Sequence, residues 1–296
     1  MLVKAFKNCK FEPSKTDSQL MNAMQSKVKR ESYPSDIRKN GWKTLEPLLP
    51  VSKSNEKVGG RPSENLHEII NAIFYVQKTG CSWRSIPNDL PQWETTYGYF
   101  SRWGKDGTWE LIHNHLVKKI RLKSGRTELP TAGCIDSQTV KTTAIGGEER
   151  GYDGGKKIKG RKRFILVDTM GLMIALYVCG ANISEIAGAK QLLIKAKAQN
   201  NDINLCLNIL KIWADGGYRG DDLLAFVKDL WNWAWEITLR SDKTKGFQVI
   251  PKRWVVERTF SWLDQSRRLS KDYEKTVKSS ESVIYVTMIH IMINRN

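Results

Sequence analysis

No stretch of this 296-residue sequence is long and apolar enough to cross a bilayer. The most apolar run, Gly171 to Ala181, falls far short of the about 20 residues a spanning helix needs. Met1 to Arg30 holds scattered lysines but no continuous apolar segment, so no secretory signal is expected. Both absences point to the cytoplasm and against a membrane partner. Cysteine is scarce: Cys9, Cys81, Cys134, Cys179 and Cys206 are odd in number and widely spaced, which excludes a disulfide framework and gives no zinc pattern. Free, buried thiols are expected. Histidine is scarcer still. Among His67, His113, His115 and His290 only His113-x-His115 approaches ligand spacing, and structural roles are expected for all four. Acidic residues are also under-represented, 31 against 48 Lys and Arg.

What is present is a formal charge of +17 and a pI near 9.6, an electrostatic footprint for a polyanion, with nucleic acid the first candidate. Forty per cent hydrophobic residues and 11 tryptophans suit a globular protein, and the length allows roughly two domains.

Residues 1–32 read as a flexible basic extension. A short helix from Asp36 to about Glu46, with Ile37, Trp42 and Leu45 apolar, is stopped by Pro47 and Pro50. After a loop with the Gly59-Gly60-Arg61-Pro62 turn, Ser63 is a plausible N-cap for a helix over about Glu64 to Thr79, which ends at Gly80. Another helix follows from about Trp93 to Trp103. Helix, short turn, helix suggests a helix-turn-helix whose later helix reads DNA, with Gln92, Glu94, Thr95, Thr96, Tyr99 and Arg102 on its exposed side. A plain helical bundle fits the same pattern. Together with Arg61 and Arg84, residues Thr95, Thr96 and Arg102 are the candidates for recognising DNA ends. One more helix, through Trp109 to Ile120, closes a helical domain over 33–128, and Pro130 marks the boundary to a catalytic domain over 129–296.

From Thr131 the character is mixed. Ala132 to Asp136 reads as a strand, Gly146 to Gly160 as a glycine-rich basic loop, and Phe164 to Val167 as a second strand. Asp168 to Gly171 has type I turn chemistry, so Leu172 to Val178 should be the antiparallel partner and Asp168 a turn residue. Ser184 to Ala198 is helical, Ile209 to Trp213 a strand, Asp222 to Trp231 a helix and Trp233 to Leu239 the last strand. Trp231, Trp233 and Trp235 are assigned to the core. A helix opening at Arg253 buries Val256, Phe260 and Leu263 on one face and carries Glu257 among cations.

Asp136 and Asp215 each end an apolar run. If their strands are adjacent and parallel, the two carboxylates meet and Glu257 can close over them. Carboxylates that close resist joint ionisation unless a cation shares them, and hard divalent ions such as Mg²⁺ or Mn²⁺ suit oxygen ligands. Two such ions could hold the attacking and leaving oxygens of a phosphoryl displacement. In a chain with 31 acids, chance strand-end aspartates explain the spacing equally well. Lys156 to Arg163 carries six cations in eight residues, Lys156, Lys157, Lys159, Arg161, Lys162 and Arg163. A solvated loop or a phosphate contact accounts for it, the latter favoured beside a DNA-cutting site, with Lys141, Arg219, Arg240 and Arg258 adding to it.

The stretches IDSQTVKT at 135–142, GYDGGKKIKGRKRFILVDTMGL at 151–172, ADGGYRG at 214–220, RWVVERTFSWL at 253–263 and RRLSKDYE at 267–274 resemble the DDE transposases of bacterial insertion sequences, specifically the insertion-sequence-5 family. Tyr33-Pro34-Ser35-Asp36, Gly60-Arg61-Pro62, Gly80-Cys81-Ser82-Trp83-Arg84 and the Trp93 to Trp103 helix are similar to that family's N-terminal region. The resemblance implies an RNase H-like α/β domain, a mixed five-stranded sheet with flanking helices, preceded by a helical region. It implies that Asp136, Asp215 and Glu257 bind metal and catalyse DNA cutting and joining, and that Arg253 contacts a phosphate near the cut. Double-stranded DNA, a homodimer or larger synaptic assembly and a place at the nucleoid are the expected partners and location. A nuclease of the same fold that does not join ends, and a decayed copy acting as a DNA-binding regulator, are the rival readings. Phe164 stands where the family usually has histidine, and Ile250 and Asp264 occupy the offsets of a tyrosine and lysine common around the glutamate.

Overall fold

The computed structural model describes residues 30–50, 65–199, 203–239 and 252–294. Residues 35–296 form one compact unit and 1–34 another. Arg61, Ser63, Arg240, Cys9 and most of the expected basic extension lie outside the described residues.

Four helices come first: α1 (Lys39–Leu45), α2 (Leu66–Thr79), α3 (Trp93–Lys105) and α4 (Thr108–Lys123). The first starts three residues later than expected. The described N-cap of α2 is Asn65, whose side chain accepts from the His67 backbone N–H, and the helix stops at Gly80 in the left-handed conformation that favours glycine. A 3₁₀ turn, Trp83–Ser85, links α2 to α3.

The sheet follows, with β1 (Ala132–Lys141), β2 (Gly151–Asp153), β3 (Ile158–Asp168), β4 (Met173–Gly180), β5 (Lys211–Ala214) and β6 (Ala234–Ile237). Its order is β4-β3-β1-β5-β6, with the short β2 also on β3. β1, β3 and β4 form an antiparallel meander, whereas β5 and β6 run parallel to β1. The hairpin expected at Asp168 is present: the Gly171 N–H donates to the Asp168 carbonyl at 3.0 Å, and Asp168 Oδ1 accepts from Met170 and Leu172. Gly171 has φ +79°, and a Cβ there would meet Thr259 Oγ1 and the Trp262 ring. Asp168 itself is buried and paired with Arg121 of α4, which ties the helical layer to the sheet.

Two helices, α5 (Glu185–Lys197) and α6 (Asp221–Trp231), flank the sheet. Ser184 caps α5 by accepting from the Ala187 N–H. The glutamate helix is α7 (Trp254–Asp264), with Val256, Phe260 and Leu263 buried as the spacing predicts. A last helix, α8 (Val277–Ile293), was not expected. Twelve of its residues are buried, and it packs on α4, on the other N-terminal helices and on β4. The character changes from helix to strand near Pro130, yet one continuous hydrophobic core runs from Ile37 and Phe74 through the sheet to Ile293. Among the described residues no helix is long and apolar enough to cross a membrane. Cys134, Cys179 and Cys206 are buried free thiols and Cys81 a half-buried one.

Candidate active site

Asp136 lies within β1, not at its end, because β1 continues to Lys141 along β3. On its other edge β1 pairs with β5 only as far as Cys134↔Trp213. Two residues further along each strand stand Asp136 and Asp215. In parallel neighbours, equal offsets from one register pair bring side chains to the same face and side by side. Each aspartate has one oxygen tied down: Asp136 Oδ1 accepts from the Ser137 N–H at 2.7 Å, and Asp215 Oδ1 from the Gly217 N–H at 2.9 Å. The other oxygens turn toward Arg253.

Glu257 arrives on α7, whose start is pinned to the sheet. The Cys134 thiol donates to the Lys252 carbonyl at 3.1 Å, and the Lys252 ammonium lies 4.7 Å from the Trp213 ring centre. Further along, Thr259 Oγ1 donates to the Gly171 carbonyl, Arg258 to the Met170 carbonyl, and Gln138 Nε2 to the Asp264 carboxylate. So held, α7 delivers Arg253 and, one turn later, Glu257. Arg253 Nη2 is 3.6 Å from Asp136 Oδ2, 3.7 Å from Asp215 Oδ2 and 3.6 Å from Glu257 Oε1. The three acids, remote in sequence, thus share one guanidinium, and no two of those oxygens can be further apart than the sum of their distances from it.

Burial holds the Asp136 carboxyl up to about 6; the Ser137 N–H opposes the shift, Asp215 adds to it, Arg253 opposes it and Glu257 adds. Tyr218 is buried against this group, its hydroxyl pushed well above the usual range by burial and then by the Asp136 charge. Tyr218 falls inside the ADGGYRG stretch without a role being expected for it, since its place depends on the 3₁₀ turn Gly216–Tyr218 that follows Asp215.

Residues 127–292, more than half of the chain, match the family model "Transposase DDE domain". The chain belongs to the DDE transposases of insertion elements. Residues 37–113 match a second family, described as "Putative transposase of IS4/5 family". Over 108 residues, 36% of the transposase and 72% of the relative, it is 29% identical to the "Insertion element IS402 uncharacterized 16.2 kDa protein" of Burkholderia cepacia. The curled mixed sheet with flanking helices and a helical region before it is the RNase H-like α/β architecture expected for this transposase, with six strands in place of five because the short β2 adds to β3.

Divalent metals are general in this family, and the donor set of three carboxylates suits a hard ion in kind. In spacing it is set for a guanidinium: among the described residues no three His, Cys, Asp or Glu stand close enough to hold one ion.

The cation-rich segment is a correction. Lys156 to Arg163 is mostly strand, and three of its members point inward, Arg161 0%, Lys162 4% and Arg163 1% exposed. Arg161 donates to the Glu148, Glu274 and Lys275 carbonyls and pairs with Asp272 at 3.0 Å. Lys162 donates to the Ile183 carbonyl and Glu185, and Arg163 to the Leu269 carbonyl. These three are buried cations held by carbonyls and, for Arg161 and Lys162, by acids that no local pattern announces, which leaves them no open side for DNA. Lys156, Lys157 and Lys159 are exposed, as are Lys141 and Arg219. Arg258 is half-buried, lying between the rings of Trp254 and Trp262. In the helical layer Thr96 is buried, its hydroxyl donating to the Pro91 carbonyl, so it cannot read bases. Thr95 is half-buried, and Arg84 and Arg102 are exposed, stacked on Trp93 and Tyr99.

Proposed function

We propose that this transposase binds the terminal inverted repeats of its insertion element and cuts and joins DNA strands at Asp136, Asp215 and Glu257. The observation that carries the reading is the convergence of these three carboxylates on Arg253, with the two aspartates at matching offsets on paired parallel strands.

In this reading the acids are the ligands of Mg²⁺, with Mn²⁺ a substitute. A bound ion supplies Lewis acidity toward phosphate oxygens and a more acidic water. The chain does the positioning. Asp136 and Asp215, each anchored through one oxygen by a backbone N–H, present the other to the reacting centre. Arg253, nearly buried and charged, is suited to pair with the scissile phosphate. Water attacks phosphorus at the element end and the 3′-oxygen leaves as a hydroxyl. That hydroxyl then attacks a target phosphodiester, forming the new 3′ to 5′ linkage and releasing the target's own 3′-oxygen.

The helical layer over 33–128 serves end recognition, with Arg84, Thr95 and Arg102 its contacts, and Arg61 a further candidate by sequence. Lys141, Lys156, Lys157, Lys159, Arg219 and Arg258 serve the backbone of double-stranded DNA. A homodimer or larger assembly holds two ends at once, at the nucleoid in the cytoplasm. Cleavage of labelled element-end DNA in Mg²⁺ tests the reading. Asp136→Ala, Asp215→Ala and Glu257→Ala are each expected to lose cleavage almost completely while keeping DNA binding. Activity surviving one of these changes removes that residue from the chemistry. Joined products with a target plasmid are expected; hydrolysis alone would favour a nuclease.

A further inference from the structure

β1 and β3 pair without interruption from Gly133↔Asp168 to Lys141↔Gly160, and on the opposite edge of β3 the short β2 pairs from Gly151↔Gly160 to Asp153↔Ile158. In an antiparallel pair, opposed residues share a face and every second residue returns to it. Starting from Asp136↔Ile165, that face passes through Gln138↔Arg163 and Val140↔Arg161 to Tyr152↔Lys159. Tyr152 and Lys159 therefore lie on the same face of the sheet as the acids. From Ile165 to Lys159 is about 20 Å at ~3.3 Å per residue. That is the length of about six base pairs of duplex DNA at 3.4 Å each.

Between the two ends the face is roofed. Arg163 and Arg161 are buried beneath the segment 267–275, donating to the Leu269, Glu274 and Lys275 carbonyls. The two acids of that segment are spent inward, Asp272 on Arg161 and Glu274 on Arg268. Lys271, Tyr273 and Lys275 are left outward, Tyr273 39% exposed. The hairpin beyond is still more one-sided. Lys156, Lys157 and Lys159 are exposed and Tyr152 is 56% exposed. Its one acid, Asp153, accepts from the Lys156 N–H at 3.0 Å and from the Thr139 hydroxyl at 2.7 Å.

The hairpin is also built to be stiff. A Cβ on Gly160 would stand 1.9 Å from the Val140 carbonyl oxygen, and one on Gly151 would stand 1.8 Å from Asn182 Oδ1. An exposed aromatic on such a support loses little freedom when it is covered, and its apolar body with a polar tip suits a sugar and groove edge between phosphates.

We propose that the 151–159 hairpin is a second contact surface for duplex DNA, about six base pairs from the cut, where Lys156, Lys157 and Lys159 meet phosphates and Tyr152 lies against the groove edge. The proposal rests on the reading of Asp136, Asp215 and Glu257 as the cutting site. Charge complementarity selects the partner: three exposed cations and an aromatic outnumber the hairpin's one acid, and the acids of 267–275 are spent on internal ion pairs.

The test uses the full chain and a fluorescein-labelled 40-base-pair duplex bearing the terminus of the element that encodes it, in calcium to prevent cutting. Lys156→Ala/Lys157→Ala/Lys159→Ala and Tyr152→Ala are compared with Lys228→Ala, an exposed lysine of α6. The triple variant is expected to bind at least tenfold more weakly, with its logarithmic salt slope reduced by about two to three. It should also lose hydroxyl-radical protection about six base pairs from the cut. Tyr152→Ala should bind several-fold more weakly with its salt slope kept. Wild-type affinity and footprint in the triple variant, at an unchanged melting temperature, overturn the proposal. So does protection lost at a different distance, or an equal effect of Lys228→Ala. Cleavage surviving in Asp136→Ala would instead sink the catalytic reading and leave the hairpin's binding result standing.

Discussion

At Asp136, burial outweighs the help of the Ser137 N–H and of Arg253, so the carboxyl ionises only near pH 6. A carboxylate whose folded pKa is raised costs stability once it is ionised. The cost is absent below the unfolded pKa of about 4, grows as pH rises toward 6 and is complete above it, at most about 3 kcal/mol. Asp136→Asn, free of divalent ions, is therefore expected to melt higher than wild type at pH 7.5 and to converge with it near pH 4. Thermal melts at the two pH values check this. Arg253 carries the opposite sign. It is the shared counter-charge of three carboxylates, so Arg253→Ala should melt lower than wild type in chelator and gain more from millimolar Mn²⁺, as read by Mn²⁺ titration of the melting temperature. The acids were legible in the sequence because each sits inside a long motif. Arg161, Lys162 and Arg163 were not, because a cation run looks the same whether its charges meet water or carbonyls and acids brought in from other parts of the chain.

Among the elements, α8 was invisible for a related reason. Periodicity detects a helix by its polar face, and α8 has none to show: it is enclosed by β4 and by the N-terminal helices. The helices with one wet face, α2, α3 and α7, were found to within a few residues. Two histidines lie in the packing of α8, His113 buried and His290 half-buried. His113 of α4 packs edge-on to Tyr285, and His290 stacks on Phe74 of α2. Burial lowers both to about 4, Asn114 and Glu110 partly opposing this at His113 and Lys78 adding to it at His290. A histidine held neutral in the fold contributes its full share of stability above the unfolded pKa near 6.5. That share is lost as pH falls toward 4, at up to about 1.4 kcal/mol per pH unit for each group. Denaturant titrations are expected to show stability falling between pH 6.5 and 4, less steeply in His290→Gln, with Asp136 opposing the trend over part of that window.

For the molecule from residue 35 onward, the sequence suggested a boundary near Pro130, and the change of secondary structure does fall there. The packing runs straight across it. Arg121 of α4 pairs with Asp168 at the β3 to β4 turn, the Tyr285 hydroxyl of α8 donates to Glu110 of α4 at 2.7 Å, and Ser266 after α7 donates to the Gln77 carbonyl of α2 at 2.8 Å. Ile69, Ile73, Phe74, Ile112 and Leu116 belong to the same core as Ile284, Met288 and Ile289. Removing the helical layer would bare most of one side of α8 to water and leave Asp168 as a buried carboxylate without its cation, a loss of several kcal/mol from a margin of only about 5 to 15. A fragment of residues 129–296 is thus expected to be insoluble or unfolded by circular dichroism. The full chain, followed by tryptophan fluorescence and by far-ultraviolet circular dichroism, should give coincident urea transitions. Two separated transitions, or a folded fragment, would mean that the helices and the sheet are energetically independent despite their shared core.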